Sequence, residues 1–156
     1  MSKRFRSAAL AGALGVGLAL CAGTALAQAA TPVGVWKTID DATGKEKSLI
    51  RISDAGGMLT GRIEKLLDPA TPQDAVCKEC SDERKDQPVA GLAILRNVKQ
   101  SEGRADEWSG GDILDPNNGK VYKVRLRPID GGAKLDVRGY IGAPLLGRTQ
   151  TWLRAE

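Results

Sequence analysis

The sequence predicts an all-β fold: an antiparallel up-and-down β-barrel of about eight strands. Short runs of strand-forming residues recur along the chain, separated by Gly, Pro, Asn and Asp turns. Two of these runs alternate. Tyr122, Val124 and Leu126 oppose Lys123, Arg125 and Arg127, and Leu135 and Val137 oppose Lys134, Asp136 and Arg138. A period of two sends one set of side chains into a core and the other into water. No convincing long amphipathic helix is present. Closing such a sheet into a barrel removes its edges, and about eight strands leave room for side chains or one small ligand. A flattened sandwich is the alternative with the same pattern.

Residues 1–27 read as a secretory signal peptide. Lys3, Arg4 and Arg6 form a positive start, Ala8 to Leu20 is an uncharged apolar run, and Ala25-Leu26-Ala27 gives the small-x-small cleavage pattern before Gln28. The run is thirteen residues long, too short to cross a hydrocarbon core of about 30 Å as a helix. An uncleaved anchor and lipidation at Cys21 are the competing readings, and Leu20 is a poor residue to precede a lipidated cysteine. Cleavage leaves one domain, residues 28–156, long enough for a self-standing core.

Val33 to Ile39 is the first strand, ended by the turn Asp40-Asp41-Ala42-Thr43-Gly44. Ser48 to Ser53 and Met58 to Leu67 form a hairpin about Asp54 to Gly57. Residues 68–88 are polar and carry Pro69, Pro72 and Pro88. They read as a long loop with at most one helical turn, and a loop of this length in a compact domain is usually functional or mobile. Val89 to Val98 is the next strand. Asp106 to Leu114 follows, bent at Gly110-Gly111. Asp115-Pro116-Asn117-Asn118-Gly119 is a tight turn, with Asp115 as its cap and Asn118-Gly119 at positive φ. Val121 to Arg127 and Lys134 to Tyr140 are the alternating strands. Leu145 to Arg154 closes the sheet.

The chain has 23 Lys and Arg against 19 Asp and Glu. Three of the basic residues lie in the leader, so the mature chain is nearly neutral at 20 against 19, and a nucleic-acid partner is not expected. Positive charge gathers after Gly119, with eight basic and three acidic residues there. Most of it reads as the wet outer face of strands, with an anionic-ligand or headgroup site as the sharper reading. The sequence contains no histidine, which removes Ser-His-Asp and Cys-His catalysis and histidine metal sites. Glu46, Glu64, Glu107, Asp112 and Asp136 read mostly as solvated carboxylates rather than a catalytic pair. Asp112, Asp115, Asn117 and Asn118 read as turn residues rather than a calcium loop. No enzyme activity, cofactor or metal is expected.

Cys77 and Cys80 are the cysteines left after the leader. In an export compartment so close a pair is by default a disulfide, here pinning the 68–88 loop. Redox use is the alternative, although Lys78-Glu79 lacks the usual features of such motifs. Two thiolates alone do not complete a zinc site.

Gly34-Val35-Trp36 on the first strand, with an arginine near the end of the last, resembles the lipocalin and calycin signature. The tryptophan would plug the barrel floor under a stacked guanidinium, with Arg148 and Arg154 both open as its partner. The mature chain more closely resembles the domain of unknown function 2147 family of small exported bacterial proteins. The matching stretches are Gly34-Val35-Trp36, Cys77-Lys78-Glu79-Cys80, Gly91 to Leu95, Trp108 to Pro116, Asn118 to Tyr122, Arg138 to Gly142 and Gly147 to Trp152. The resemblance implies export and a lipocalin-like barrel, without an established activity.

The sequence thus points to a non-enzymatic periplasmic or secreted barrel binding a small hydrophobic or amphipathic ligand, with no transmembrane segment once the leader is removed. Candidate lumen residues are Trp36, Ile50, Ile52, Trp108, Tyr122, Val124, Leu135, Val137, Arg148 and Trp152. An envelope protein–protein interaction module and, less favoured, a thiol–disulfide protein are the alternatives.

Overall fold

The structure is a computed structural model, and it describes residues 30–156. The stretch read as a signal peptide, residues 1–27 with Cys21, lies outside the described residues. Nine strands form one sheet: β1 Gly34–Ile39, β2 Glu46–Ala55, β3 Met58–Leu66, β4 Ala93–Gln100, β5 Trp108–Ser109, β6 Asp112–Asp115, β7 Lys120–Ile129, β8 Lys134–Tyr140 and β9 Arg148–Arg154. Each pairs antiparallel with its neighbours in sequence, except that β5 and β6 both pair with β4 on one side and β7 on the other. They are two halves of one barrel position, split at Gly110-Gly111. β1 pairs with β9, which closes an eight-position barrel.

The split has a steric cause. A Cβ on Gly111 would lie 2.1 Å from the Arg96 carbonyl oxygen, and Gly110 has φ +82°, so the strand bends where side chains do not fit. Two other expectations are corrected. β4 begins at Ala93 rather than Val89. Gly91, at φ +90°, turns the chain, although Gly91 N–H still bonds Ile63 O. β9 begins at Arg148 rather than Leu145. Pro144–Leu146 is instead a single 3-10 turn, because Pro144 has no N–H for a ladder and Arg138 binds the Pro144 and Leu145 carbonyls.

The inward residues follow the alternation read from the sequence. Val124 and Leu126 on β7, and Leu135 and Val137 on β8, are buried. Val124, Leu126 and Leu135 meet Ile52, Leu59, Leu95, Val98 and Trp108 in a solid apolar layer at one end, and Val137 borders the open half. Arg154 closes that end. Its guanidinium stacks 4.2 Å from the Trp36 ring centroid and donates to the carbonyls of Thr31, Val33, Gly132 and Glu156. Trp36 Nε1–H donates to Pro32 O at 2.7 Å. Arg154, not Arg148, is therefore the partner of the tryptophan. Gly34 explains the spacing of the motif, since a Cβ there would lie 2.5 Å from Arg154 Nη1.

This closure sets a stability prediction. Arg154→Ala removes a cation–π contact and four charge-assisted hydrogen bonds, and is expected to destabilise the barrel by about 2–4 kcal/mol. Arg154→Lys recovers little of that, because an ammonium does not span the same carbonyls. Thermal unfolding of the two variants checks both.

Candidate functional site

Above the apolar layer the barrel is open. A cavity of about 770 Å³ runs from mid-barrel to the end bearing the 68–88 loop. Ligand pockets commonly measure about 300–1,000 Å³. Its deep wall is apolar, from Ile50, Ile63, Ile94, Leu114, Val137 and Trp152. One polar pair interrupts it: the hydroxyls of Thr38 and Ser48, buried and 2.8 Å apart. The indole N–H of Trp152 is also buried and has no hydrogen-bond partner among the described residues. Leaving such a donor unmade in a covered site is unfavourable.

The rim is polar. Asp41 accepts from Arg148 and, at 2.8 Å, from Gln150 Nε2, which ties the β1–β2 turn to the adjacent strand β9 at the rim. The Thr43 hydroxyl and backbone N–H hold the neighbouring Asp40 carboxyl below its ordinary range. Asn117, Asn118 and Tyr122 form the facing side.

The candidate lumen residues divide into two sets. Ile50, Tyr122, Val137, Arg148 and Trp152 line the cavity. Trp36, Ile52, Trp108, Val124 and Leu135 do not, because they fill the closed half. Tyr122, Val124, Leu135 and Val137 lie on β7 and β8, where alternation alone gives the inward direction. The height along the barrel is what separates them, and alternation does not encode it. Sequence reading missed Thr38, Ser48, Ile63, Ile94 and Leu114. The inward phase of β1 to β4 could have found most of them.

The loop between β3 and β4 partly roofs the cavity through Thr71, Ala75, Val76 and Val89. Cys77 and Cys80 are joined in a disulfide, and both are buried. The loop is anchored at two points. Arg84, buried, forks onto Asp82 and donates to Ala93 O. The disulfide tip sits on the β6–β7 turn, where a Cβ on Gly119 would fall 1.8 Å from Glu79 O. Asp115 caps that turn through the Asn117 N–H, as expected. Only Gly119, and not Asn118, has positive φ. Glu107 also departs from expectation. It is 3 % exposed, with its carboxylate among Arg104, Arg125 and Arg127. So ringed by guanidinium groups outside the cavity, it is an ion-cluster centre and not a solvated carboxylate.

The family model described as "Uncharacterized protein conserved in bacteria (DUF2147)" matches residues 34–154. A solved structure described as "Protein HP1028 from the human pathogen Helicobacter pylori belongs to the lipocalin family" is similar with a TM-score of 0.69 and 19% identity, covering 81% of this chain and 84% of that one. At that identity the likeness concerns the fold. No curated protein matches the chain.

Two predictions concern the roof. Gly119→Ala is expected to lift the disulfide tip from the turn and speed phosphine reduction of Cys77–Cys80 severalfold. The Asp82 carboxyl is lowered to about 2, chiefly by its hydrogen bond from Arg84, against an ordinary value of about 4. A depressed folded value means the contribution is complete above pH about 4 and lost as pH falls toward 2. Reduction measured relative to Asp82→Asn should therefore be slow above that window and converge with the variant at its lower end.

Proposed function

The chain belongs to the DUF2147 family, and from that footing we propose that it is an exported, non-enzymatic barrel binding one small, partly apolar ligand in the open half of its lumen. The observation that carries this is the cavity of about 770 Å³ with apolar depth and polar rim. Apolar pockets with a few placed polar groups are the usual form of a small-molecule site. The unpartnered Trp152 N–H and the Thr38 and Ser48 hydroxyls fit a ligand bearing a hydrogen-bond acceptor on its buried portion, such as a carbonyl or carboxylate. The rim, with Asp40, Asp41, Lys47 and Arg148, suits a polar group left near water.

Export to the periplasm or the medium is supported by the leader pattern of residues 1–27 and by the disulfide, which persists in oxidising compartments. A thiol–disulfide role is disfavoured by burial of both sulfur-bearing residues under the loop, since exchange needs an accessible sulfur.

Native mass spectrometry of protein recovered from the periplasm is the direct test, with a co-purified small molecule as the expected result. In solution, a fluorescent acyl probe should bind and Val137→Trp should weaken it by about tenfold or more, by filling the apolar depth. The protein's intrinsic fluorescence should respond to the bound acyl chain in the parent and lose that response in Trp152→Phe, because Trp36 and Trp108 lie outside the cavity. An unchanged affinity in Val137→Trp, with the fold intact, would sink the reading.

A further inference from the structure

Five large hydrophobic residues are exposed among the described residues, and three of them lie in the seven-residue connection between β8 and β9: Ile141 at 64%, Leu145 at 87% and Leu146 at 79%. The connection is not slack. Arg138 Nε donates to Pro144 O at 2.7 Å and Nη2 to Leu145 O at 3.2 Å, while Nη1 reaches Thr149 Oγ1. A Cβ on Gly147 would lie 2.5 Å from Gly139 O, so the loop is folded tightly back onto β8. A charged side chain thus holds two leucines out into water in one fixed shape. Ile141 and Leu146 also line the cavity at its polar rim, so the loop stands at the barrel mouth.

Lys123 lies on the outer face of β7 beside this loop, and Lys120 begins the same strand at the mouth end, on the opposite phase. Both are exposed, and Lys123 is registered against Tyr140, next to Ile141. Neither takes part in an ion pair among the described residues, whereas Arg148 is neutralised by Asp41. Aliphatic side chains flanked by free lysines are the composition of an interfacial membrane contact. A stable protein interface buries about 800 Å² per partner and favours aromatic anchors. Three aliphatic side chains on a convex loop fall well short of that area, and none of the exposed large hydrophobics is aromatic.

We propose that the β8–β9 loop docks the barrel mouth onto an anionic phospholipid surface, with Leu145 and Leu146 entering the leaflet and Lys120 and Lys123 lying against headgroup phosphates. The docking does not depend on the cavity being a ligand site.

The test uses residues 28–156, which hold every strand, in flotation with phosphatidylcholine vesicles with and without phosphatidylglycerol. The parent should float with the mixed vesicles. The pair Leu145→Ser and Leu146→Ser should weaken this by about tenfold or more while leaving thermal unfolding unchanged, since both side chains are exposed. Lys120→Glu with Lys123→Glu should abolish the preference for phosphatidylglycerol. Should the serine pair disturb folding, Leu145→Trp gives a second reading: its added emission should shift to the blue with vesicles and be quenched by brominated lipid. Absence of flotation in the parent, flotation unaltered by a folded serine pair, or a Leu145→Trp emission blind to lipid overturns the proposal. So does a concentration-dependent dimer that the serine pair abolishes, which would assign the loop to a second copy. Acyl-probe binding in vesicle-free buffer is read separately, so failure of the cavity reading and failure of the docking reading are distinguishable.

Discussion

A guanidinium stacked 4.2 Å from the Trp36 ring joins the last strand to the first and collects carbonyls from the chain before β1, from the β7–β8 turn and from the C-terminal residue. A meander closes only if its terminal strands find each other, and β1 and β9 share just two registered pairs, Trp36 with Arg154 and Lys37 with Leu153. Backbone bonds from Ala155 N–H to Val35 O and from Val35 N–H to Glu156 O extend this short ladder, and the joining is completed by a side chain. Arg154 supplies it at the first pair, over a ring that also seals the barrel floor. Gly34 has no side chain because that guanidinium needs the space. The floor in turn lets the remainder of the lumen be open: the apolar layer of Ile52, Leu59, Val98, Leu126 and Leu135 is enough to hold the sheet curved without filling its upper half.

The open half is shaped by three connections. The β1–β2 turn is tied to the neighbouring β9 by Asp41, the β6–β7 turn is capped by Asp115, and the disulfide loop rests on Gly119 of that same turn. A disulfide three residues apart closes too small a ring to restrict the unfolded chain much. Its effect is local, giving the loop a compact tip that fits the turn. Arg84 and Asp82 hold the other shoulder, and because Arg84 is buried its charge needs that carboxylate beside it. The roof is thus held by contacts at its ends, with Ala75, Val76 and Val89 presented to the cavity between them.

Much of this was legible in the sequence. Alternation on β7 and β8 gave the inward residues, Gly110-Gly111 gave the break between β5 and β6, and Gly34-Val35-Trp36 marked the floor. What stayed hidden is what period two does not carry. Alternation gives a side chain's face but not its height, so Trp36 and Trp152 look alike although one plugs the floor and the other walls the cavity. Arg148 and Arg154 share the same inward or outward phase and differ only in distance from Trp36 along the barrel. Glu107 reads as an ordinary surface acid because its three arginine partners come from a turn and from β7. Leu145 and Leu146 read as strand because they are apolar, and are turned outward by Pro144 and by hydrogen bonds from Arg138 on the neighbouring strand.

The positive excess after Gly119 resolves into separate uses. Arg154 works at the floor. Arg125 and Arg127 offset the buried charge of Glu107. Arg138 shapes the β8–β9 loop, and Arg148 braces the mouth against Asp41. Lys134 is held by Asp130, which raises its pKa. Each of these positive charges is engaged with protein groups before any outside anion is considered. Lys120 and Lys123 are left over, on the strand that flanks the apolar loop at the cavity entrance. Fixed aliphatic side chains, uncommitted cations and the opening of an apolar cavity therefore meet at one edge of the barrel, opposite the end that Arg154 seals.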